Sequence, residues 1–147
     1  MNTKEYLRLI VDDIHIVIVV TVDEDWLPVT AAIDMMDADE NSLYFLTGTG
    51  KSFYRRLKDK GYLAFTALKG EDTMSSIAVS VRGKVKELGS VKAKELCDKN
   101  PYMYEIYPTE ESRKVLTAFQ IYKGEGNWYD LTKKPIDIRS FTFSVDD

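Results

Sequence analysis

The sequence predicts a mostly β (α+β) fold, in which six or seven strands form an antiparallel barrel with three or so short helices outside it. First, Ile14–Val22 is β-branched almost throughout, which favours a strand over a helix. Second, Thr73–Leu88 alternates apolar and polar residues with a period of two. Third, strands and helices do not alternate as they would in a parallel βαβ chain.

Length and composition indicate a globular chain, with residues 1–147 forming a single domain. The chain has 147 residues, of which 44% are hydrophobic and 30% are charged, so it can bury a sizeable core. The formal net charge is −4, and the sequence pI is near 5.1. Because nucleic-acid binders usually carry a net basic face, this balance argues against a nucleic-acid partner.

The content of cysteine and histidine excludes several kinds of site. Cys97 and His15 are the only residues of their types, so an internal disulfide, a Cys/His zinc site and an iron–sulfur cluster are excluded within one chain. The longest apolar run, Ile16–Val20, is far shorter than the ~20 residues of a membrane span. The N-terminus mixes acidic and basic residues, unlike a signal peptide, and we expect a cytoplasmic protein without a membrane partner.

Local patterns predict the elements of the first 60 residues. Residues 3–12 carry one apolar stripe, which indicates a short helix with Thr3 as its N-cap. Ile14–Val22 is apolar on both faces, so we expect helices or a partner subunit to cover it on both sides. The remaining elements are a second strand over Leu27–Met36, a third over Ser42–Leu46, and a helix over Lys51–Lys60 with Gly61 as its C-cap.

The second half of the chain is predicted in the same way. Ile77, Val79, Val81 and Val85 fall on one side of the long alternating strand. A tyrosine-rich segment, residues 102–112, has no clear pattern. The other predicted elements are a strand over Tyr62–Leu68, a helix over Ser90–Lys99 capped by Ser90, a final hairpin of Val115–Tyr122 and Trp128–Leu131 turning at 123–127, and a tail from Thr132 along a surface or edge.

The corner between the third strand and the next helix has the residues that a phosphate needs. Thr47, Thr49 and Ser52 offer hydroxyls, Lys51 offers an ammonium group, and the helix start offers unpaired N–H groups. Serine and threonine before a helix are also common caps, so a capped helix with a solvated lysine would show the same residues.

This corner also resembles the end of the nucleotide-triphosphate cradle, G-x-x-x-x-G-K-[ST]. Gly50, Lys51 and Ser52 fit the end of that motif, but its first glycine would be Phe45. A bulky residue there blocks the close backbone approach that glycine allows. The motif also opens a parallel α/β sheet, so we reject an NTPase.

The order of the elements resembles a known family. An apolar strand and an acidic turn are followed by Pro28 and a second strand, then by Leu43-Tyr44-Phe45-Leu46-Thr47 and a loop in which Lys51 opens a basic helix. A long strand then ends in Val81–Val85. Over about residues 5–130 this is similar to the pyridoxamine 5′-phosphate oxidase-like family, the FMN-binding split barrels. The resemblance implies a six-stranded split barrel and a homodimer with FMN at the subunit interface.

The resemblance also implies positions for the cofactor. The FMN phosphate would lie near Thr47 and Lys51, and the flavin ring would lie along Thr30–Asp34 of the second strand. Trp128 and Tyr129 would come from the partner subunit. No catalytic residue and no metal ligand is assigned. The predicted cofactor-binding residues are Thr30, Ala31, Ala32, Leu46, Thr47, Thr49, Lys51, Ser52 and Trp128.

Departures from the family pattern define the predicted function. Pyridoxamine phosphate oxidases carry arginines at about the places of Ala31 and Gly50, and their C-terminal substrate-binding segment has no counterpart here. The prediction is therefore an FMN-dependent oxidoreductase that acts on an unidentified small molecule with a nicotinamide or ferredoxin partner. The alternative is a non-catalytic flavin- or haem-binding protein or redox sensor. Related barrels also hold deazaflavin, and His15 is the one candidate haem ligand.

Three single residues have a structural interpretation. His15 begins the first strand and is expected to be packed or at a rim rather than to act as a base. Cys97 is expected to be an inert core residue, because no low-pKa context is visible around it. Arg82 faces away from Val79 and Val81, which favours a solvated strand residue over a charge near the flavin.

Overall fold

A computed structural model describes residues 1–146 of the chain as a closed antiparallel barrel with an additional strand. The strand order is β3-β2-β1-β4-β5-β6-β7, and pairing of β3 with β6 closes six strands on themselves. The predicted six-stranded barrel with short helices is thereby confirmed. The strands are β1 (Ile16–Val22), β2 (Pro28–Ala38), β3 (Leu43–Gly48), β4 (Tyr62–Lys69), β5 (Ile77–Gly89), β6 (Leu116–Asp130) and β7 (Asp137–Ser144).

Short helices cover the barrel where the sequence predicts them, with different caps. Asn2, not Thr3, caps the first helix, since its side chain accepts from the Glu5 N–H. Gly89, not Ser90, is the N-cap of the third helix. Gly61 is left-handed (φ 74°) and ends the second helix, as predicted. The helices are α1 (Thr3–Leu9), a π-helical turn (Ile10–Ile14), α2 (Ser52–Lys60), a 3₁₀ turn (Thr73–Ser75), α3 (Ser90–Lys99), α4 (Met103–Ile106) and α5 (Glu110–Arg113).

The barrel interior is the main hydrophobic core. Phe45 of β3 stacks on its cross-strand neighbour Phe119 of β6, with ring centroids 5.6 Å apart and planes inclined by 10°. Leu57 of α2 and Leu7 of α1 are also buried in this core. A second, smaller core lies under α3, where Leu96 packs with side chains from β2, β3 and β6.

The predicted final hairpin is wrong. Residues 116–130 form one continuous strand, β6, that pairs with β5 on one side and with β7 on the other. A Cβ at Gly124 would lie 2.7 Å from the Phe143 ring, and one at Gly126 would overlap the Phe141 ring. These glycines therefore make room for aromatic rings rather than for a turn. The tail does run along an edge, as predicted, because β7 is the outermost strand.

An opening separates β2 from β3 over part of their length. Their registered pairs begin at Met35–Phe45 and continue to Ala38–Leu43, with a bulge between. Residues 28–34 of β2 and residues 46–48 of β3 are not registered with each other, although each stretch stays paired on its other edge, with β1 and β6 respectively. The two strands thus diverge, and the end of β3 faces a gap in the wall of the barrel.

The outer face of β1 remains exposed. Val17 and Val19 point inward and are 1% and 0% exposed, whereas Ile16 and Ile18 point outward and are 60% and 51% exposed. The prediction that β1 is covered on both sides is therefore not met by helices of this chain. That a partner subunit covers this face stays a prediction.

Candidate functional site

The turn between β3 and α2, residues 47–52, is the candidate for the anion-binding corner that the sequence predicts. Lys51 is the N-cap of α2 with extended backbone (φ −86°, ψ 149°), and no side chain caps the free N–H groups of the first turn. That first turn contains no acidic residue. Within residues 1–146, Lys51 makes no ion pair. A free ammonium group beside an uncapped helix start is a favourable place for a phosphate.

Thr47 adds a hydroxyl that lacks a partner. The residue is 5% exposed, and its Oγ1 is the buried side-chain N or O atom, among the residues described, that has no hydrogen-bond partner. Its cross-strand neighbour Thr117 differs, since its hydroxyl donates to Glu87 Oε2 over 2.7 Å. A buried hydroxyl without a hydrogen-bond partner costs free energy. A small shift of the Thr47 side chain that let it bond to a ligand oxygen or a water would remove this cost.

The other two predicted phosphate contacts, Thr49 and Ser52, are exposed on the same turn. The Thr49 N–H donates to the Val115 carbonyl over 2.9 Å and so ties the turn to the segment before β6. Ser52 lines a cavity of about 310 Å³ between α2 and the turn after β1, together with Arg55 and Arg56. The structure thus exposes Thr49, Lys51 and Ser52 on one turn, whereas Thr47 is buried at the end of β3, and their roles in phosphate binding stay predictions.

The second-strand residues separate into two faces. Thr30 and Ala32 are exposed on the outer face of β2, opposite Val20 and Ile18 of β1. Ala31 points the other way and packs against the main core. Thr30 and Ala32, with their short side chains, therefore form a shallow outer surface beside the opening between β2 and β3, on which a planar ring can lie.

Two predicted contacts lie elsewhere in this chain. The Leu46 side chain packs into the second core under α3. Trp128 is buried in the main core, and its ring centroid lies 5.3 Å from that of Tyr6. Tyr129, on the outer face opposite Ala78, is half-buried. The roles of Leu46 and Trp128 in cofactor binding stay predictions.

A cluster of three polar side chains lies at the end of the outer surface of β2, and the sequence analysis did not identify it. The Tyr102 hydroxyl lies 2.7 Å from Asp34 Oδ2 and 2.6 Å from His15 Nε2. Burial, and then the hydrogen bond to the Asp34 carboxylate, raise the pKa of Tyr102 above its usual value. The three residues are far apart in sequence, and Tyr102 opens the segment without a clear pattern, so no local pattern indicates the cluster.

Glu87 anchors a second polar cluster inside the barrel mouth beneath α2. Its carboxylate accepts from Tyr54 and Thr117 and pairs with the Lys58 ammonium group at 3.1 Å. Burial pushes the pKa of Glu87 upward, but the hydrogen bonds from Thr117, Lys58 and Tyr54 outweigh it together and lower the pKa. These contacts tie α2, and with it the anion-binding corner, to β5 and β6.

The remaining single residues named in the sequence lie in three different surroundings. Cys97 is buried in the second core, and desolvation raises the pKa of its thiol, which opposes thiolate chemistry. Arg82 is an exposed strand residue paired with Glu125, so its interpretation as a solvated residue is confirmed. His15 lies at the rim of the barrel, just before β1. Over residues 1–146, no helix is long and apolar enough to cross a membrane, and no group of three potential ligands could hold a metal ion.

Comparison with solved structures finds similar folds at low sequence identity. The crystal structure of a NimC/NimA family protein from Clostridium acetobutylicum has a TM-score of 0.79 at 11% identity, over 96% of this chain and 92% of that chain. A protein from the same organism, related to general stress protein 26 of B. subtilis (pyridoxinephosphate oxidase family), has a TM-score of 0.69 at 21% identity, over 97% of this chain and 96% of that chain. A heme binding protein from Mycobacterium smegmatis has a TM-score of 0.69 at 11% identity, over 95% of this chain and 58% of that chain.

These similarities show the fold. No protein-family model matches the sequence, and no curated protein matches it either. The structural neighbours include pyridoxamine 5′-phosphate oxidase family proteins and share the split barrel, so the resemblance inferred from the sequence is confirmed at the level of fold. The free ammonium group of Lys51, the orphaned Thr47 hydroxyl and the shallow surface at Thr30 and Ala32 fit a molecule with one phosphate and a planar ring.

Proposed function

We propose that this chain binds FMN and acts, as a homodimer, as an oxidoreductase on an unidentified small molecule. The observation that carries the proposal is the unpaired Lys51 at the uncapped start of α2, beside the opening between β2 and β3. The departures from the family pattern at Ala31 and Gly50 argue against oxidation of a vitamin B6 phosphate.

In this proposal Lys51 and the first N–H groups of α2 hold the phosphate, with Thr49 and Ser52 as hydroxyl donors. A charge-assisted contact to a phosphate is stronger than a neutral one, so Lys51 supplies most of the affinity at this end. Thr30 and Ala32 support the ring, since their small side chains leave space above β2. When bound, the flavin ring supplies hydride and electron transfer, and the protein orients it.

The outer face of β1 supports the homodimer. Ile16 and Ile18 are more than half exposed, and Thr30 and Ala32 of the proposed ring surface lie beside them on the same face. Contiguous exposed apolar surface of this kind is typical of an interface. A twofold dimer through this face would enclose the ring between subunits.

A haem-binding role has less support. One structural neighbour is a heme binding protein, and His15 is the histidine of this chain. However, its Nε2 is engaged by the Tyr102 hydroxyl and its Nδ1 lies 3.3 Å from the Val11 carbonyl, so neither nitrogen is free to ligate iron. A flavin carrier or redox sensor without turnover remains the alternative to an enzyme, and so does a deazaflavin in place of FMN.

Binding of FMN tests the proposal directly. Titration of FMN with the purified protein, followed by flavin fluorescence, should give saturable binding at one FMN per chain. Lys51→Ala should weaken binding about 10- to 150-fold, because a charge-assisted contact contributes about 1.5–3 kcal/mol. Lys133→Ala, which removes an exposed lysine from the loop after β6, is the matched control and should bind as the wild type does.

Two results would overturn the assignment. Full FMN affinity in Lys51→Ala would contradict the assignment of the phosphate site. Absence of saturable binding in the wild type would contradict the assignment of FMN as the cofactor. Oxidation of NADH in the presence of bound FMN then separates an enzyme from a carrier, since a carrier would leave the NADH absorbance unchanged.

A further inference from the structure

Three titratable side chains from distant parts of the sequence meet at the rim of the barrel. Tyr102, just before α4, is hydrogen-bonded to Asp34 of β2 and to His15 before β1. His15 Nε2 also lies 3.7 Å from Asp34 Oδ2, which is within ion-pair distance when the imidazole is charged. Both His15 and Asp34 have 28% of their side chains exposed, so the cluster is in contact with solvent on one side.

The backbone at His15 is strained in a way that aims the ring at this cluster. Its φ of 70° and ψ of −58° lie outside the regions that non-glycine residues normally adopt. It directly follows the π-helical turn Ile10–Ile14, and its own N–H donates to the Ile10 carbonyl. Strain of this kind persists where the surrounding structure imposes it, and it is concentrated at functional sites.

Counting protons shows which arrangement satisfies every contact in the cluster. The Val11 carbonyl is an acceptor only, so the contact at His15 Nδ1 requires Nδ1–H. If the single Tyr102 proton is donated to Asp34, then His15 Nε2 must donate to the Tyr102 oxygen. All contacts are therefore satisfied at once when His15 is the imidazolium. When His15 is neutral, Tyr102 can donate to Nε2 or to Asp34, but not to both.

The cluster lies next to the proposed ring surface. Asp34 is on the same outer face of β2 as Thr30 and Ala32, because side chains alternate along a strand. Two residues of strand separate Asp34 from Ala32 by about 7 Å. A group that gives up a proton at Asp34 would therefore deliver it at the edge of a ring bound over Ala32.

We propose that His15, Tyr102 and Asp34 form a proton relay that protonates the substrate reduced at the flavin site; this rests on the proposed function. The acceptor is a small molecule with a polar double bond X=Y. Its atom X takes a hydride from the reduced cofactor, which is thereby oxidised, and the π-electron pair moves to Y and forms the new Y–H bond. His15 Nε2 gives a proton to the Tyr102 oxygen, Tyr102 gives its own proton to the Asp34 carboxylate, and Asp34 passes a proton on to Y and is left ionised again. His15 is left neutral and regains its proton from water.

The charges around the relay are few, which makes its titration interpretable. On the element that contains His15, Asp12 is paired with Arg8, and Asp13 is paired with Lys69 of β4. On β2, the acidic residue in contact with His15 and Tyr102 is Asp34, which is itself part of the relay. From α3, the nearby titratable group is the buried Cys97 thiol.

The test uses the imidazole as its own reporter. Because His15 is the single histidine of the sequence, long-range ¹H–¹⁵N spectra of labelled protein contain one imidazole. Its titration is recorded between about pH 5 and 8 in the FMN-loaded protein, first oxidised and then reduced with dithionite. Reduction adds negative charge to the flavin, and this charge favours protonation of groups connected to it. The midpoint of the imidazole titration should therefore rise by about half a pH unit or more.

Variants separate a relay from a structural contact. Tyr102→Phe keeps the ring but removes the hydroxyl, and it should abolish the response of the imidazole to flavin reduction. Asp34→Asn removes the carboxylate that accepts from Tyr102, and it should also abolish the response of the imidazole to flavin reduction, because the relay is interrupted at its last member. Tyr104→Phe, which removes the hydrogen bond from Tyr104 of α4 to Asp98 of α3 and does not touch the relay, should behave as the wild type.

The outcomes distinguish the two proposals. If FMN binds but its reduction leaves the imidazole midpoint unchanged, or if Tyr102→Phe responds as the wild type does, the relay is wrong and the cofactor site stands. If FMN fails to bind, the proposed function fails and the relay fails with it. A response that is present in the wild type and in Tyr104→Phe but absent in Tyr102→Phe supports both.

Discussion

The two faces of β1 have the same chemistry and opposite surroundings. Val17 and Val19 on the inner face are 1% and 0% exposed, whereas Ile16 and Ile18 on the outer face are 60% and 51% exposed. Burial of one such side chain contributes about 1.5–3 kcal/mol relative to exposure. On the inner face of β1, the chain itself buries the valine side chains and gains this free energy. On the outer face, the isoleucine side chains can be buried only against another molecule.

The same contrast separates stability from function in this barrel. The inner face is completed by α1, α2 and the stacked rings of β3 and β6. The outer face continues from β1 onto the small residues of β2 and ends at the cluster of Asp34, Tyr102 and His15. Substitutions on the inner face should therefore change unfolding, and those on the outer face should change association and ligand binding.

Phe45→Ala should have the largest effect on stability. Phe45 is fully buried between Phe119 and Phe53, so its removal leaves a cavity in the middle of the barrel. The free energy of unfolding measured by urea denaturation should fall by about 3–5 kcal/mol. Val91→Ala, on the exposed side of α3, should change it by less than about 0.5 kcal/mol.

Ile18→Glu should have an intermediate effect, on association rather than on folding. A charge buried in a twofold interface is unfavourable, so the dimer dissociation constant measured by sedimentation should rise about 100-fold, or ~2.7 kcal/mol. Val91→Glu places the same charge on a different exposed position and should leave association unchanged. A wild-type protein that sediments as a monomer would contradict the role assigned to the outer face.

Glu87→Gln should have a smaller effect than Ile18→Glu, with a distinct pH dependence. Because folding lowers the pKa of Glu87, its contribution is present above the unfolded value of about 4.3 and is lost as the pH falls through the lower folded value. The variant should lose about 1 kcal/mol near neutral pH and lose less stability than the wild type on acidification below about pH 4.

Glu125→Gln is the matched comparison for Glu87. Glu125 is also a strand glutamate paired with a cation, but its pair with Arg82 is exposed. Its loss should change the unfolding free energy by less than about 0.5 kcal/mol. The unfolding free energies of both variants are measured by denaturation at neutral and acidic pH. Equal effects of the two substitutions would contradict the distinction between the barrel mouth and the outer wall.

Strands with a clear pattern were predicted well, and the longest strand was not. The alternation at Ile77–Val85 identifies β5, because the buried side of that strand depends on its own side chains. In β6 the glycines at 124 and 126 resemble a turn locally, and the rings that occupy their space come from Phe143 and Phe141 of β7, which follow them by 19 and 15 residues respectively. A strand whose continuity depends on a distant neighbour cannot be distinguished from a hairpin by its own residues.

The candidate site also contains some residues that local sequence patterns identify and others that they do not. The corner from Thr47 to Ser52 is one contiguous segment, so its hydroxyls, ammonium group and helix start were visible in the sequence. The separation of Thr30 and Ala32 from Ala31 follows from strand alternation once the inner face is known. The cluster at His15 depends on Asp34 and Tyr102, which no spacing rule connects.

The sequence by itself determined the class of fold, the succession of most strands along the chain, and the hydroxyls, ammonium group and helix start of the Thr47–Ser52 corner, because each depends on residues within a few positions of one another. Tertiary structure decided the continuity of β6, the opening between β2 and β3 and the cluster of His15, Asp34 and Tyr102. These features arise where the closed barrel brings distant segments into contact, and side-chain patterns encode such contacts only through the packing of the whole chain.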